Sequence, residues 1–279
     1  MTDSFPRQKA RTRDFTLGEP RSFEVAADGS RVVFLRSPAG DDPQTALWVF
    51  DTAQRRERLV VDPATILGDA PVEELSDEER ARRERTRETG GGIVSYAIDR
   101  NARIAALPLS GRLVVADLER GGATQLAVPT PVLDPRPDPT GRRVAFVHER
   151  SLHVVELANG AVTRLAGDEH QDVSWGVAEF VAAEEMHREH GYWWSPDGDA
   201  LLVARLDESA VPLLWISDIA NPATPPLPDG RLAERGRRGA PPAARRDQAH
   251  SRGLGSGFLS LPRRRALGRA RPAVGGADP

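Results

Sequence analysis

The chain has 279 residues with 39% hydrophobic residues and a formal net charge of −3, which is the size of one large domain or two small ones. It contains no cysteine, so disulfides, thiolate metal sites and a cysteine nucleophile are excluded. No apolar run reaches the roughly 18 residues of a membrane span, and the N-terminus has no apolar signal segment. We therefore expect a cytoplasmic protein without a membrane partner, and the near-neutral charge does not indicate a nucleic-acid partner.

Four segments of the first 220 residues share one layout. Each has a turn, an apolar strand, a short gap and a second strand that ends in an acidic residue, and the turns centre on Gly29, Asn101, Gly141 and Gly198. Glycine adopts the positive φ that such turns need, and asparagine tolerates it better than most other residues. The apolar residues alternate or run for four to six positions, as they do in half-buried and buried strands.

The spacing of these turns indicates the architecture. They are separated by 72, 40 and 57 residues, and four-stranded propeller blades recur at roughly 40–50 residues. The two longer gaps then contain insertions, whereas a plain sandwich of hairpins is the alternative. We predict an all-β fold for residues 1–226: a partial, open β-propeller of about four blades with two short helical insertions.

The first insertion, residues 63–95, contains a predicted helix. Ser76 is placed as its N-cap, and Glu79 reaches back to close a capping box. Two pairs, Glu78 with Arg82 and Glu79 with Arg83, have the i,i+4 spacing that stabilises a helix. The helix has almost no apolar face, so we expect it to project into solvent or into a cavity.

The second insertion, residues 176–191, is predicted to form a short helix bounded by Gly176 and Gly191. It carries the adjacent residues Glu184 and Glu185. Two close carboxylates repel unless a cation lies between them, so they are a candidate amine or metal site; a solvated helix face is the alternative. His187 and His190 have i,i+3 spacing that could bind a metal, but no further ligand is evident, and we expect surface histidines.

Residues 221–279 differ from the rest of the chain. They hold 12 arginines and four acidic residues, a balance of +8, which leaves −11 for the first 220 residues. Nine prolines and nine glycines interrupt the stretch, and it has no periodic apolar pattern. Such a segment cannot bury enough surface to offset its ordering entropy. We expect residues 227–279 to be disordered and to be the product of a frameshift in a GC-rich gene, with a basic interaction arm as the alternative.

The insertions carry a family resemblance. GVAEFVAAEEMHREHGYWWSPDG resembles the glutamate motif of the dipeptidyl peptidase IV family, serine peptidases of the prolyl oligopeptidase clan. ELSDEERARRERTRETGGGIVSY resembles the arginine-bearing arm that precedes the second blade of that family, and LDESAVPLLWISD resembles the strand after the glutamate motif. The resemblance covers about Phe5 to Pro222 and is nearest to the cytosolic branch and to actinobacterial members.

The resemblance implies a function. Family members remove N-terminal dipeptides, preferring Pro or Ala as the second residue. It implies that Glu184 and Glu185 anchor the α-ammonium of the substrate, and that Arg85 holds the carbonyl of the penultimate residue, with Arg83 and Arg87 as alternatives. The implied partners are peptide N-termini, bound by an intact relative.

The catalytic triad of that family lies in an α/β-hydrolase domain, with its serine in a Gly-x-Ser-x-Gly elbow. This sequence contains no such elbow, so we expect that the hydrolase domain is absent, that no catalytic residue is present and that the chain alone is inactive. We expect no cofactor and no metal. A non-catalytic propeller-type interaction module is the alternative function, and the sequence leaves the oligomeric state open.

Overall fold

The structure is a computed structural model. It describes residues 3–68, 91–211, 215–216, 227–228 and 254–260, together with the single positions Glu79 and Arg83. Most of these residues lie in antiparallel strands, which form four larger sheets and one two-stranded sheet. No helix in the described ranges is both long enough and apolar enough to cross a membrane.

The first sheet follows the N-terminal helix α1 (Phe5–Arg11). Its antiparallel strands lie in chain order, and a short fifth strand, residues 91–92, pairs with the third in parallel. The four strands are β1 (Arg21–Val25), β2 (Arg31–Arg36), β3 (Gln44–Asp51) and β4 (Arg56–Val61), followed by helix α2 (Pro63–Leu67) and by β5 (Gly91–Gly92). Asp62 caps α2 by accepting from the backbone N–H of Ala64 at 2.9 Å.

The second and third sheets repeat this arrangement without a parallel strand. Each is a four-stranded antiparallel meander in chain order. The second contains β6 (Ala97–Ile98), β7 (Ile104–Leu109), β8 (Arg112–Asp117) and β9 (Ala123–Gln125). The third contains β10 (Leu133–Pro137), β11 (Arg143–His148), β12 (Ser151–Glu156) and β13 (Val162–Ala166).

The first strand of the fourth sheet is interrupted. β14 (Val173–Trp175) and β15 (Tyr192–Trp194) both pair with β16 (Ala200–Asp207), at successive positions along one edge of it. Helix α3 (Phe180–Glu185) lies in the chain between them. The predicted second helical insertion is therefore confirmed, although its helix is shorter than residues 176–191.

The other edge of β16 pairs with a strand from the C-terminal tail. The two-stranded sheet of β17 (Trp215–Ile216) and β18 (Leu227–Pro228) comes first in the chain. Then β19 (Leu254–Ser260) pairs antiparallel with β16, from Ala200 opposite Ser260 to Leu206 opposite Leu254. An unpaired edge leaves backbone N–H and C=O groups without partners, which favours such pairing even for a Gly-rich strand. This strand lies within residues 227–279, the segment expected to be disordered. The remainder of the tail, residues 229–253 and 261–279, lies outside the described part, and its disorder and the frameshift stay predictions.

The core lies between neighbouring sheets. One buried cluster joins the first and second sheets through residues such as Leu47 and Leu107. A second cluster joins the second and third sheets around Phe146, and a third joins the third and fourth sheets around Tyr192. Each sheet therefore packs face to face on the next, and the described strands form no closed barrel. This confirms the predicted partial, open propeller.

The turns between the first two strands of each sheet match the prediction at three of four places. Gly29, Gly141 and Gly198 have φ of 71°, 66° and 75°. In the second sheet Ala102 has a φ of 49°, so the prediction that Asn101 supplies this residue is wrong by one position. The positive φ falls on the fourth residue of the turn, whose N–H closes the turn and whose left-handed φ directs the chain into the second strand: Ala102 N–H donates to Asp99 O at 3.0 Å.

Candidate functional site

Glu184 and Glu185 lie in the last turn of α3, and both are exposed. Glu179 holds the start of the helix, since its two carboxylate oxygens accept from the N–H groups of Val181 and Ala182 at 2.9 Å each. Ala182 is buried, and the helix ends at Met186, whose N–H donates to the Ala182 carbonyl at 3.2 Å. The adjacent carboxylates therefore stand at the carbonyl end of the helix, where negative charge is unfavourable and a cation is favoured.

The two ends of this insertion approach each other closely at Gly176 and Gly191. A Cβ on Gly191 would lie 2.4 Å from the Gly176 carbonyl carbon and from the Val177 oxygen. Backbone at such a distance leaves no room for a side chain, so the chain leaves and rejoins the sheet at nearly one point. The insertion runs from Gly176 to Gly191 between β14 and β15, but its helix is bounded by Glu179 and Met186, so the prediction that the two glycines bound the helix is wrong.

Of the three candidate arginines of the arm, the structure describes only Arg83. Arg85 and Arg87 lie outside the described residues. Arg83 is described: it is 8% exposed, and its Nε lies 2.9 Å from Oε1 of Glu79, which is 5% exposed. Of the two i,i+4 pairs predicted from spacing, Glu78 with Arg82 lies outside the described residues, and Glu79 with Arg83 is thus present. Both side chains are buried, however, so projection into solvent is wrong for these two positions.

His187 and His190 are not brought together as metal ligands. His187 is exposed and has a φ of 52°. Nδ1 of His190 instead lies 3.0 Å from Oδ2 of Asp134. Within the described ranges, no group of three or more His, Cys, Asp or Glu side chains could hold a metal ion.

His190 belongs to a polar network at the first strand of the third sheet. Oδ1 of Asp134 lies 3.0 Å from Arg136 Nε, and Arg136 Nη2 lies 2.7 Å from Nδ1 of His190. The indole N–H of Trp194 donates to the Arg136 carbonyl at 3.1 Å. The Tyr-Trp-Trp part of the glutamate motif therefore joins the α3 insertion to β10.

Tyr192 fixes the same strand from inside the core. It is fully buried, and its hydroxyl lies in hydrogen-bonding contact with the carbonyls of Asp134 and Ala145, the latter at 2.9 Å. Burial, together with the nearby Asp134 carboxylate, raises the pKa of the Tyr192 hydroxyl well above its usual value of 10.0. The motif tyrosine is therefore a neutral structural donor rather than a titrating group.

A cavity of about 430 Å³, which we call the first-strand cavity, opens beside this network. It is formed by the first strands of the first and third sheets, the segment leading into the second sheet and the end of the α3 insertion. Its lining residues are Arg21, Ser22, Phe23, Glu24, Val94, Ser95, Tyr96, Pro108, Asp134, Pro135, Arg136, Glu189 and His190.

Glu24 is the half-buried acid of this cavity. Burial raises the pKa of its carboxyl above 4.5, an effect that the positive charge of Arg136 and a hydrogen bond from the Ile98 backbone N–H partly offset. Sequence reasoning did not find Glu24, Asp134 or Arg136 as candidate site residues. Glu24 lies 110 or more positions before Asp134 and Arg136 and shares no motif with them, so only the packing of the sheets brings it to the other two.

Comparisons with known proteins agree with this geometry. The family model described as the dipeptidyl peptidase IV N-terminal region matches residues 94–229. A "Probable dipeptidyl peptidase 4" of Aspergillus flavus is 37% identical over 75 residues, which cover 26% of this chain and 10% of that protein.

Two other relatives have similar sequence identity and coverage. A "Probable dipeptidyl-aminopeptidase B" of Penicillium rubens is 36% identical over 75 residues, covering 26% of this chain and 8% of that protein. A "Dipeptidyl-aminopeptidase B" of Aspergillus niger is 35% identical over 101 residues, covering 32% of this chain and 11% of that protein. The matches thus span only about a tenth of the length of these relatives. Residues 94–229, just under half of this chain, are therefore similar to the N-terminal region of the dipeptidyl peptidase IV family.

Proposed function

We propose that the chain is the propeller part of a dipeptidyl peptidase IV-like serine peptidase and binds the free N-terminus of a peptide through Glu184 and Glu185. The observation that carries the proposal is the α3 insertion. It interrupts the first strand of the fourth sheet and presents two adjacent, exposed carboxylates at a helix end that disfavours negative charge.

The chemistry of an α-ammonium suits this arrangement. It carries one positive charge and three N–H donors, and hydrogen bonds between ionised groups are short and strong. A bound cation also removes the repulsion between the two carboxylates. Because the ammonium marks the end of a chain, an anchor for it sets a fixed distance to the peptide bonds and favours release of dipeptides over internal cleavage.

We propose that Arg85 binds the carbonyl of the penultimate residue of the peptide. The described neighbour Arg83 already directs its Nε at Glu79 in a buried pair, which favours Arg85 or Arg87 for this role. The Arg85 assignment is otherwise based on the resemblance of the arm.

Cleavage itself is not proposed for these 279 residues, since they contain no Gly-x-Ser-x-Gly elbow. We expect the purified chain to leave an Xaa-Pro chromogenic substrate intact. Turnover of that substrate, retained after repurification, would contradict this part of the proposal.

The anchor is tested by binding rather than by turnover. Ala-Pro amide and N-acetyl-Ala-Pro amide differ only in the α-ammonium, and calorimetric or NMR titration of the whole chain measures both. We expect the acetylated ligand to bind at least about tenfold more weakly, since charge-assisted hydrogen bonds contribute about 1.5–3 kcal/mol. The Glu184→Gln/Glu185→Gln variant should lose this preference.

Glu169→Gln is the matched control, because Glu169 is an exposed acid outside α3. It should keep the preference for the free amine. Equal affinity of the wild-type chain for the two ligands would refute the anchor.

A further inference from the structure

The charges of the first-strand cavity are not balanced. Its basic groups are engaged: Arg136 contacts Asp134 and His190, and Arg21 also has an interaction partner. Glu24 accepts the N–H of Ile98, but no ion pair joins it to another described residue. Glu24 is therefore a carboxyl without an ion pair of its own among the described residues, held where burial makes its ionised form costly.

Apolar surface adjoins this carboxyl. Phe23 precedes it on β1 and is 60% exposed, although its ring packs on Phe34 with the centroids 5.8 Å apart. Pro108 and Pro135 also line the cavity. An exposed aromatic face attracts cations, and proline rings and Phe suit the methylene stem of a long side chain.

We propose that the first-strand cavity binds the basic side chain of an arginine or lysine residue in a peptide, with Glu24 as its counter-charge. The inference rests on the proposed function in one respect, namely that the ligand is a peptide. Arginine should be preferred to lysine, since its planar guanidinium pairs with a carboxylate through two parallel hydrogen bonds and stacks on an aromatic ring.

The remaining charged groups of the cavity are consistent with a cationic ligand. On β10, Asp134 and Arg136 neutralise each other. Glu189, on the insertion, is exposed and adds negative charge at the mouth of the cavity. Tyr96 is neutral, since burial raises the pKa of its hydroxyl above the usual 10.0. The positive charge of Arg21 opposes the ligand.

Binding should be linked to pH. A cation beside Glu24 stabilises its ionised form, so binding displaces a proton from any protonated fraction. The raised pKa of Glu24 moves this effect to pH values above 4.5. The ligand should therefore bind more weakly at pH 5 than at pH 7.

The experiment compares N-acetyl-arginine amide with N-acetyl-citrulline amide, which has the same shape without the charge. Titration of the full chain, followed by NMR or calorimetry, is expected to show about tenfold or greater preference for arginine at pH 7. Glu24→Gln should abolish the preference, whereas Glu169→Gln, an exposed acid outside the cavity, should retain it.

Equal binding of the two ligands by the wild-type chain would overturn the proposal, as would a preference that Glu24→Gln leaves intact. If Glu24→Gln does not fold, the pH dependence of binding by the wild-type chain tests the proposal. An affinity for N-acetyl-arginine amide that does not fall between pH 7 and pH 5 contradicts the inference. Both ligands are acetylated and carry no α-ammonium, so failure here is distinguishable from failure of the α-ammonium anchor.

Discussion

Tyr96 and Tyr192 perform the same task in two different pairs of sheets. The Tyr96 hydroxyl contacts the carbonyls of Ser22 and Val33, and that of Tyr192 contacts the carbonyls of Asp134 and Ala145. In both cases, one acceptor lies in the first strand of the preceding sheet and the other in its second strand. Each tyrosine therefore ties its own sheet to the one before it.

The acceptors explain why a tyrosine is needed. Ser22 and Asp134 have φ of 54° and 45°, and the strand register shifts at both positions. Such a bulge turns a carbonyl away from the ladder, and a buried carbonyl without a partner is costly. The hydroxyl supplies the partner and so allows the bulges, which shape the first-strand cavity.

Replacing Tyr192 by Phe removes this donor while keeping the ring. We expect the free energy of unfolding to fall by about 1–3 kcal/mol, the cost of leaving a buried acceptor unsatisfied. Denaturant unfolding measures this free energy, and Tyr96→Phe should lower it by a similar amount. Trp193→Phe, at a site that is 37% exposed, is the control and should change stability by less than about 0.5 kcal/mol. A Tyr192→Phe variant as stable as the control would contradict the role of the hydroxyl.

Tyrosine ionisation provides an independent readout, because the chain contains only two tyrosines. Burial raises the pKa of both hydroxyls above 10.0, so their stabilising contribution is complete below the unfolded pKa and is lost as pH rises through the folded one. Absorbance at 295 nm should therefore show no tyrosinate near pH 10 and should rise only with alkaline unfolding. A reversible titration near pH 10 in the folded protein would show that neither hydroxyl is held as described.

Gly191→Ala should disrupt the α3 insertion. The new Cβ would meet backbone atoms of Gly176 and Val177 at 2.4 Å, and overpacking of this kind costs about 1–3 kcal/mol. Binding of Ala-Pro amide should weaken together with stability. Gly160→Ala is the comparison: its φ is 70°, but nothing lies within 4 Å of the added carbon. A smaller loss of stability in Gly191→Ala than in Gly160→Ala would rule out the steric explanation.

Asp138 organises the turn that begins the second strand of the third sheet. It is fully buried, and its Oδ1 accepts from the Thr140 N–H at 2.7 Å and the Thr140 hydroxyl at 2.6 Å. Asp138→Ala leaves these donors unpaired and should cost about 2 kcal/mol or more. Asp138→Asn keeps one oxygen acceptor and should cost less. Chemical denaturation of both variants tests the order, and equal losses would contradict it.

Local signals in the sequence determined much of the fold. The Asp-Gly turns, the alternating strands and the glycines around the glutamate motif each act over a few residues, which allowed the open propeller and the α3 insertion to be predicted. Where Asn101 was expected at the positive φ, Ala102 takes it, since hydrogen-bond geometry within the turn selects the position. The family resemblance implies roles for Glu184, Glu185 and Arg85 that local pattern alone left open, and these roles stay predictions.

Only the tertiary structure decided which distant groups meet. Glu24 faces Arg136, and His190 reaches Asp134, across sheets whose contact depends on packing rather than on chain proximity. The bulges at Ser22 and Asp134 have no local sequence signal, because their positive φ is stabilised by tyrosines far away in the chain. Local sequence therefore determined the strands, turns and helix, while packing between sheets produced the cavity and its charges.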